Sequence, residues 1–256
     1  MMNYLCGKKP HVFDEKTVIF SRFMDSQFRA PSKFDFDKGR AEIPIQAGGI
    51  RVACDVTASM ANQLLRFGRI DQRRTLEMRP ENVTMRYRAI QARTGGKEEP
   101  GITVLDAMKS WSKDGWNVKG KNYKISLYGE IEPNEHEFLR TAIYVFRGVH
   151  IGLMIPEAVK KLDHVWDFDG QSGEEWKPGP LGVLAYCKAY NRTSYEIILW
   201  GERIQVSNRF VDHYSDEAWI SVEALDYWGS QVLDLHTLAR MYPHITDIKQ
   251  EKEVRG

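Results

Sequence analysis

The chain is short of cysteine, of net charge and of long apolar runs, and each shortage removes a class of protein. Three cysteines, at positions 6, 54 and 187, form neither a CxxC pair nor a repeated spacing, so neither a disulfide framework nor a zinc site is expected. Lys and Arg number 36 against 35 Asp and Glu, a formal charge of +1 that gives no global field for nucleic acid or an anionic membrane. No stretch approaches the roughly 20 apolar residues of a membrane span, and Met1 to Lys8 lack the apolar core of a signal peptide, so a soluble, non-exported chain is expected. There is no HExxH, no Cys/His cluster, no internal repeat and no low-complexity tract. Gly95-Gly96-Lys97 is out of frame for a phosphate loop. No cofactor and no metal is expected.

What remains is ordinary globular material. Hydrophobic residues make up 42% and charged residues 28% of 256, enough to bury one large core or two small ones without staples. Residues 1–45 read as an extended arm, with prolines at 10, 31 and 44 and single aromatics, Phe13, Phe20, Phe23, Phe28 and Phe34, set between charges. Such an arm gains order by pressing those rings into grooves on its own body or a neighbour's. A body over 46–228 and a C-terminal amphipathic helix and tail over 229–256 complete the expected domain plan.

Within the body, periodicity places helices first and strands second, an α+β arrangement. Helices are expected from Cys54 to about Phe67, from Arg79 to Thr94, from a Thr103 cap to Gly115, and from Glu135 to Phe146 with Gly148 closing it. Strands are expected over 149–155, 181–190, 195–200, 201–208 and 217–222. Residues 163–180, with Asp163, Asp167, Asp169, Glu174 and Glu175, read as a long, solvated surface loop whose spacing does not fit an EF-hand.

The chemistry-bearing stretch is 46–65, a glycine-bearing loop running into Cys54 at the head of an apolar helix. A helix N-terminus offers free N–H groups and partial positive charge, which lowers a thiol's pKa and suits an oxyanion. Thiol hydrolysis also needs a base, a group that orients it and oxyanion donors.

In its order of elements the chain resembles papain-like cysteine peptidases, and more narrowly a set of papain-fold proteins of tailed bacteriophages. The resemblance is carried by Gly49 to Asn62, Gly101 to Trp111, Ala142 to Pro156, Gly182 to Asn191, and Leu199-Trp200-Gly201 with Asp216 to Ile220, together with Lys9 to Glu15 in the arm. It implies the papain-like fold and aligns Cys54 with the nucleophile. The family's base is the histidine of a Gly-Gly-His-Ala-Val-like strand, and the matching run Leu181 to Ala185 puts Val183 there. The oxyanion side chain, six residues before the cysteine, becomes Gly48, with Gln46 two residues off. The orienting asparagine falls at Ile198, and the Gly-Asp-Cys of the phage relatives is Val52-Ala53-Cys54.

Loss of a general base removes about a hundred- to ten-thousand-fold of rate, and loss of one oxyanion donor about a hundred- to thousand-fold. The favoured expectation is a non-catalytic papain-like protein in which Cys54 is an inherited buried residue. The resemblance then implies a virion structural or accessory protein, decorating a capsid or tail and assembled in the host cytoplasm. Its partners would be other virion proteins or copies of itself reached through the arm, with neither nucleic acid nor membrane involved. The alternative is a divergent cysteine peptidase or amidase acting through Cys54, with His150 or His213, both read as strand residues, as a substitute base. A third reading is a peptide- or glycan-binding module offering Trp166, Trp176 and Trp200 as stacking faces.

Overall fold

The computed structural model describes residues 7–23, 29–36, 54–72, 78–94, 101–118 and 120–223. A short strand β1 (Phe34–Asp35) precedes three helices, α1 (Asp55–Gln72), α2 (Pro80–Thr94) and α3 (Val104–Asp114). Next come β2 (Trp116–Val118), β3 (Lys121–Tyr123), β4 (Ile125–Ile131), α4 (His136–Phe146) and β5 (Val149–Leu153). The chain continues through β6 (Val165–Trp166), β7 (Val183–Tyr190), β8 (Ser194–Leu199), β9 (Glu202–Ser207), α5 (Asn208–Tyr214) and β10 (Ser215–Glu223). The main sheet runs β4-β10-β5-β7-β8-β9-β6, with β1 beside β7. Its pairings are antiparallel except β6 with β9.

Local chemistry sets the helix ends. Thr103 Oγ1 accepts from the Asp106 backbone N–H (3.1 Å), capping α3, and Gly115 ends it with φ 72°. At the end of α4 the left-handed position is taken by Arg147 (φ 66°), not by the glycine after it. Gly148 serves a close approach instead, since a Cβ there would lie 2.2 Å from the Tyr186 hydroxyl.

Two hydrophobic clusters lie on either side of the sheet. One joins α1, α2 and α3 with Leu184 and Trp219; the other joins α4, α5 and the strands' opposite faces, Val183, Ala185 and Cys187 among them. Over residues 55–66, helix α1 is buried on nearly every side, not on its apolar face alone: Thr57, Ser59, Asn62, Gln63 and Arg66 are as inaccessible as Val56, Met60 and Leu64. Those polar groups have partners, among them Val83 O for Thr57 (3.1 Å), Ser221 O for Gln63 (3.0 Å) and Asn62 O for Arg66 (3.0 Å).

The structure corrects several expectations. Strands β2 to β4 fall in the half expected to be helical, and β4 is an edge of the main sheet; β2 and β3 have three residues each and Gly129 interrupts the seven-residue β4, which leaves little alternation to read. The expected surface loop contains β6, and Trp166 there is 2% exposed because it packs against Trp200 and Phe210, with centroids 6.0 and 5.5 Å away. His213 lies on α5, capped by Ser207, rather than on a strand. In the arm, Phe20 is buried against Phe146 and Phe34 packs on Tyr144, whereas Phe13 is 65% exposed. Phe28, the Phe23 side chain, Gln46, Gly48 and the C-terminal segment lie outside the described residues.

Candidate functional site

Cys54 sits immediately before α1, where the helix enters the junction between the helical half and the sheet. Its thiol is 1% exposed, and burial pushes its pKa up to about 11, outweighing the lowering expected from a helix terminus. Asp55 follows and is also buried. Its Oδ2 accepts from the Leu184 backbone N–H (2.7 Å), tying the head of α1 to β7, while Oδ1 makes no hydrogen bond among the described residues. Burial raises the Asp55 carboxyl to about 7, with the Leu184 N–H opposing the rise.

No histidine stands at the entry to β7, where the resemblance places the base. Gly182, Val183 and Leu184 occupy the entry to β7, and strand alternation turns Val183 into the cluster away from Cys54. Leu184 is the side chain that joins the Cys54 cluster, a placement that depends on the strand's facing and cannot be read from the motif alignment. Ile198 is likewise buried and apolar.

The described histidines are all engaged elsewhere. His150 is buried in a polar network: Nδ1 lies 2.8 Å from Ser59 Oγ and Nε2 2.7 Å from Gln63 Oε1. A neutral ring with its proton on Nε2 satisfies both contacts, and burial pushes the imidazole down to about 3. His11 contacts Glu130 (3.0 Å), His136 contacts Tyr195 (2.8 Å) and Asp212 (3.0 Å), His164 lies near Asp163 (3.5 Å), and His213 stacks on Phe168 at 4.0 Å. His150 and His213 are thus committed to partners other than Cys54.

The junction beside Cys54 is filled by the chain's own arm. The Lys8 N–H donates to Gly182 O (3.0 Å), and the Gly182 N–H donates back to Lys8 O (2.9 Å). On the helical wall the Ile102 N–H donates to Gly7 O (3.0 Å) and the Lys9 N–H to Ile102 O (2.9 Å). Gly7 to Lys9 thus run as an extended strand, antiparallel to Gly182 and parallel to Ile102. The Lys8 ammonium is wholly buried, 2.7 Å from both Asp216 and Glu217 and 3.8 Å from Met154 Sδ. This lysine seat was not legible as a site: its carboxylates lie more than 200 residues along the chain.

The remaining candidates hold no ligand set. Arg209 pairs with Asp167 and Asp169, Lys161 with Glu175, and Lys177 with Glu174, so these carboxylates face cations of the protein itself. Among the described residues no group of three or more His, Cys, Asp and Glu could hold a metal ion. No helix among them is long and apolar enough to cross a membrane. Trp166 has no free face, and Trp176 packs on Phe168 (6.2 Å).

One buried acid and one buried base beside α1 titrate in opposition. Asp55, raised from 3.8 to about 7, holds a proton in the folded chain that the unfolded chain has lost, so its contribution is complete below pH 3.8 and disappears as pH rises through 7. His150, lowered from 6.5 to about 3, contributes above pH 6.5, and that contribution is lost as pH falls toward 3. Between pH 4 and 6.5 these two contributions oppose each other. Asp55→Asn removes one of them, and urea titrations should then show stability falling on acidification below pH 6.5 more steeply than in the wild type, by about 1.4 kcal/mol per pH unit. A pH profile parallel to that of the wild type would refute the assignment.

No protein-family model matches the chain, and no curated protein sequence matches it. Solved structures do. Xylellain, a cysteine protease from Xylella fastidiosa, superposes with a TM-score of 0.68 at 15% identity, covering 85% of this chain and 95% of that one. Digestive procathepsin L 3 of Tenebrio molitor larval midgut gives 0.60 at 9% identity over 86% and 77%. proCathepsin B S9 from Trypanosoma congolense gives 0.55 at 10% over 86% of each chain. The likeness establishes the papain-like cysteine protease fold, as expected from the sequence.

Proposed function

We propose that this chain is a non-catalytic papain-like protein with a structural or accessory role in an assembly. The observation that carries the reading is the junction itself: a buried thiol with no imidazole beside it among the described residues, and the arm laid across both walls. A cleft closed by four backbone hydrogen bonds and a buried ion pair works as a joint holding the two halves together. The virion placement follows from the resemblance to tailed-phage proteins, and mass spectrometry of intact particles tests it by presence or absence of the protein.

The competing reading is a cysteine peptidase, because the fold neighbours are named as such. Cys54→Ala separates the two. With fluorogenic peptides, wild type and variant should hydrolyse at the same background rate, before and after limited proteolysis of the arm. A rate in the wild type that the variant loses would sink the non-catalytic reading. Val183→His should add nothing, since that side chain packs in the cluster away from Cys54.

A further inference from the structure

We infer that residues Gly7–Lys9 form an acid-tightened strap: the segment seats most firmly while the Asp55 carboxyl beneath it carries a proton, and its hold weakens once lifting lets that carboxyl ionise in water. The inference rests on reading the junction as a joint, and it names how that joint is regulated.

The backbone contacts place Asp55 under the segment. Its Oδ2 accepts from the Leu184 N–H (2.7 Å), two residues beyond Gly182, and Gly182 exchanges two backbone hydrogen bonds with Lys8. On the other wall the Tyr87 hydroxyl donates to Gly7 O (3.2 Å), and that hydroxyl also feels the Asp55 charge. Gly7 and Lys8 thus bridge the groups that flank the carboxyl. The segment lies close, since a Cβ at Gly152 would stand 2.4 Å from Lys8 Cε, and one at Gly101 (φ +91°) 3.1 Å from Lys9 Cγ. Beneath it Asp55 is 5% exposed, and its Oδ1 has no hydrogen-bond partner among the described residues.

An ionised carboxylate is poorly served in that position. The groups facing it are the Cys54 thiol, the Tyr87 hydroxyl on α2 and the Lys8 ammonium on the segment, while β7 offers the Leu184 N–H. Lys8 is the cation of this set, and it is committed to Asp216 and Glu217, 2.7 Å from each. Burial outweighs Leu184, Gly7 and Lys8 together and raises the carboxyl from 3.8 to about 7. Lifting the segment hydrates Asp55 and returns it to its ordinary acidity. The lifted form then ionises above pH 3.8 while the seated form keeps its proton up to about 7, so seating is firmest below pH 3.8, weakens as pH climbs to 7 and levels there.

The motion is confined to the segment. Beyond Pro10 the arm is held by His11 on Glu130 (3.0 Å), by Asp14 on Lys109 (2.8 Å), by the Glu130 N–H on Val18 O (2.8 Å) and by buried Phe20. The His11 contact stays made when residues 7–9 lift, and Glu130 raises its pKa above 6.5, so its titration falls outside the acid range. Glu217, raised from 4.5 by burial, is the other carboxyl at the seat whose acidity is shifted. At neutral pH the joint is left to the Lys8 ion pair and the four backbone hydrogen bonds.

Amide hydrogen exchange, read residue by residue and corrected for intrinsic rates, tests the strap in the full chain. The Lys8, Lys9, Ile102 and Gly182 amides report the seat; Ala58 in the first turn of α1 and Glu130 at the next anchor are references. Protection at the seat should fall about tenfold per pH unit between about pH 4 and 6.5, with the references unchanged. Asp55→Asn should abolish the slope, and Glu217→Gln should keep it. Constant protection at the seat overturns the proposal, as does a slope that survives in Asp55→Asn. An equal slope at Ala58 and Glu130 also overturns it, because the opening would then belong to the whole domain. Should Asp55→Asn fail to fold, the wild-type comparison of seat and reference amides decides alone. Hydrolysis through Cys54 would sink the non-catalytic reading and leave these slopes in place, whereas flat slopes would leave that reading standing.

Discussion

Lys8→Met lowers the unfolding free energy by about 3–5 kcal/mol in urea titrations, the range for removing one partner of a buried ion pair. The methionine keeps the length and most of the volume of the lysine, so packing changes little. What is lost is the charge facing Asp216 and Glu217, each 2.7 Å from the ammonium. Glu217 is 4% exposed, and burial already raises its pKa; without Lys8 it must either protonate or remain charged and unpaired. A double-mutant cycle identifies the cause. Glu217→Gln in the Lys8→Met background should cost less than in the wild type, because the charge it removes is no longer paired. Additive losses would show that the arm is held by its backbone hydrogen bonds alone.

Cys54 in the folded protein reacts with iodoacetamide near neutral pH at least about a hundredfold more slowly than in the urea-unfolded chain, since two pKa units separate their thiolate fractions. The figure follows from the rise from 9.0 to about 11, caused by burial. The 1% exposure of the residue slows the reaction further. Cys187, buried in the other cluster with its pKa raised well above the ordinary value, should be protected as well. Peptide-resolved mass spectrometry reads the sites separately. A Cys54 that labels as fast as a free thiol would mean that the junction opens, and would return the peptidase reading to contention.

Much of the fold was legible in local pattern. The Thr103 cap, the apolar spacing of Leu105, Met108 and Trp111, and the β-branched run from Val149 each encode an element within a few residues, and each element formed. The order of motifs was enough to anticipate the papain-like fold that the solved structures share. Apart from the seven-residue β4, the elements that escaped were short ones stabilised from outside. Strand β6 has two residues and exists because Val165 and Trp166 pair with Gln205 and Val206; nothing local demands a strand there.

The candidate site was half legible. Cys54 before an apolar helix was legible in the chain, and the resemblance to papain-like peptidases implied Val183 at the histidine position, although Val183 packs in the cluster that does not contain Cys54. The sequence by itself determined which side chains could take part in chemistry, because identity decides whether a group can exchange a proton. Only the tertiary structure decided their state. Burial reverses the effect expected for a thiol at a helix end, strand facing puts Leu184 rather than Val183 beside Cys54, and 208 residues of separation close into a 2.7 Å contact between Lys8 and Asp216. Solvent exclusion and through-space pairing depend on how distant segments meet, and that information resides in no short stretch of chain.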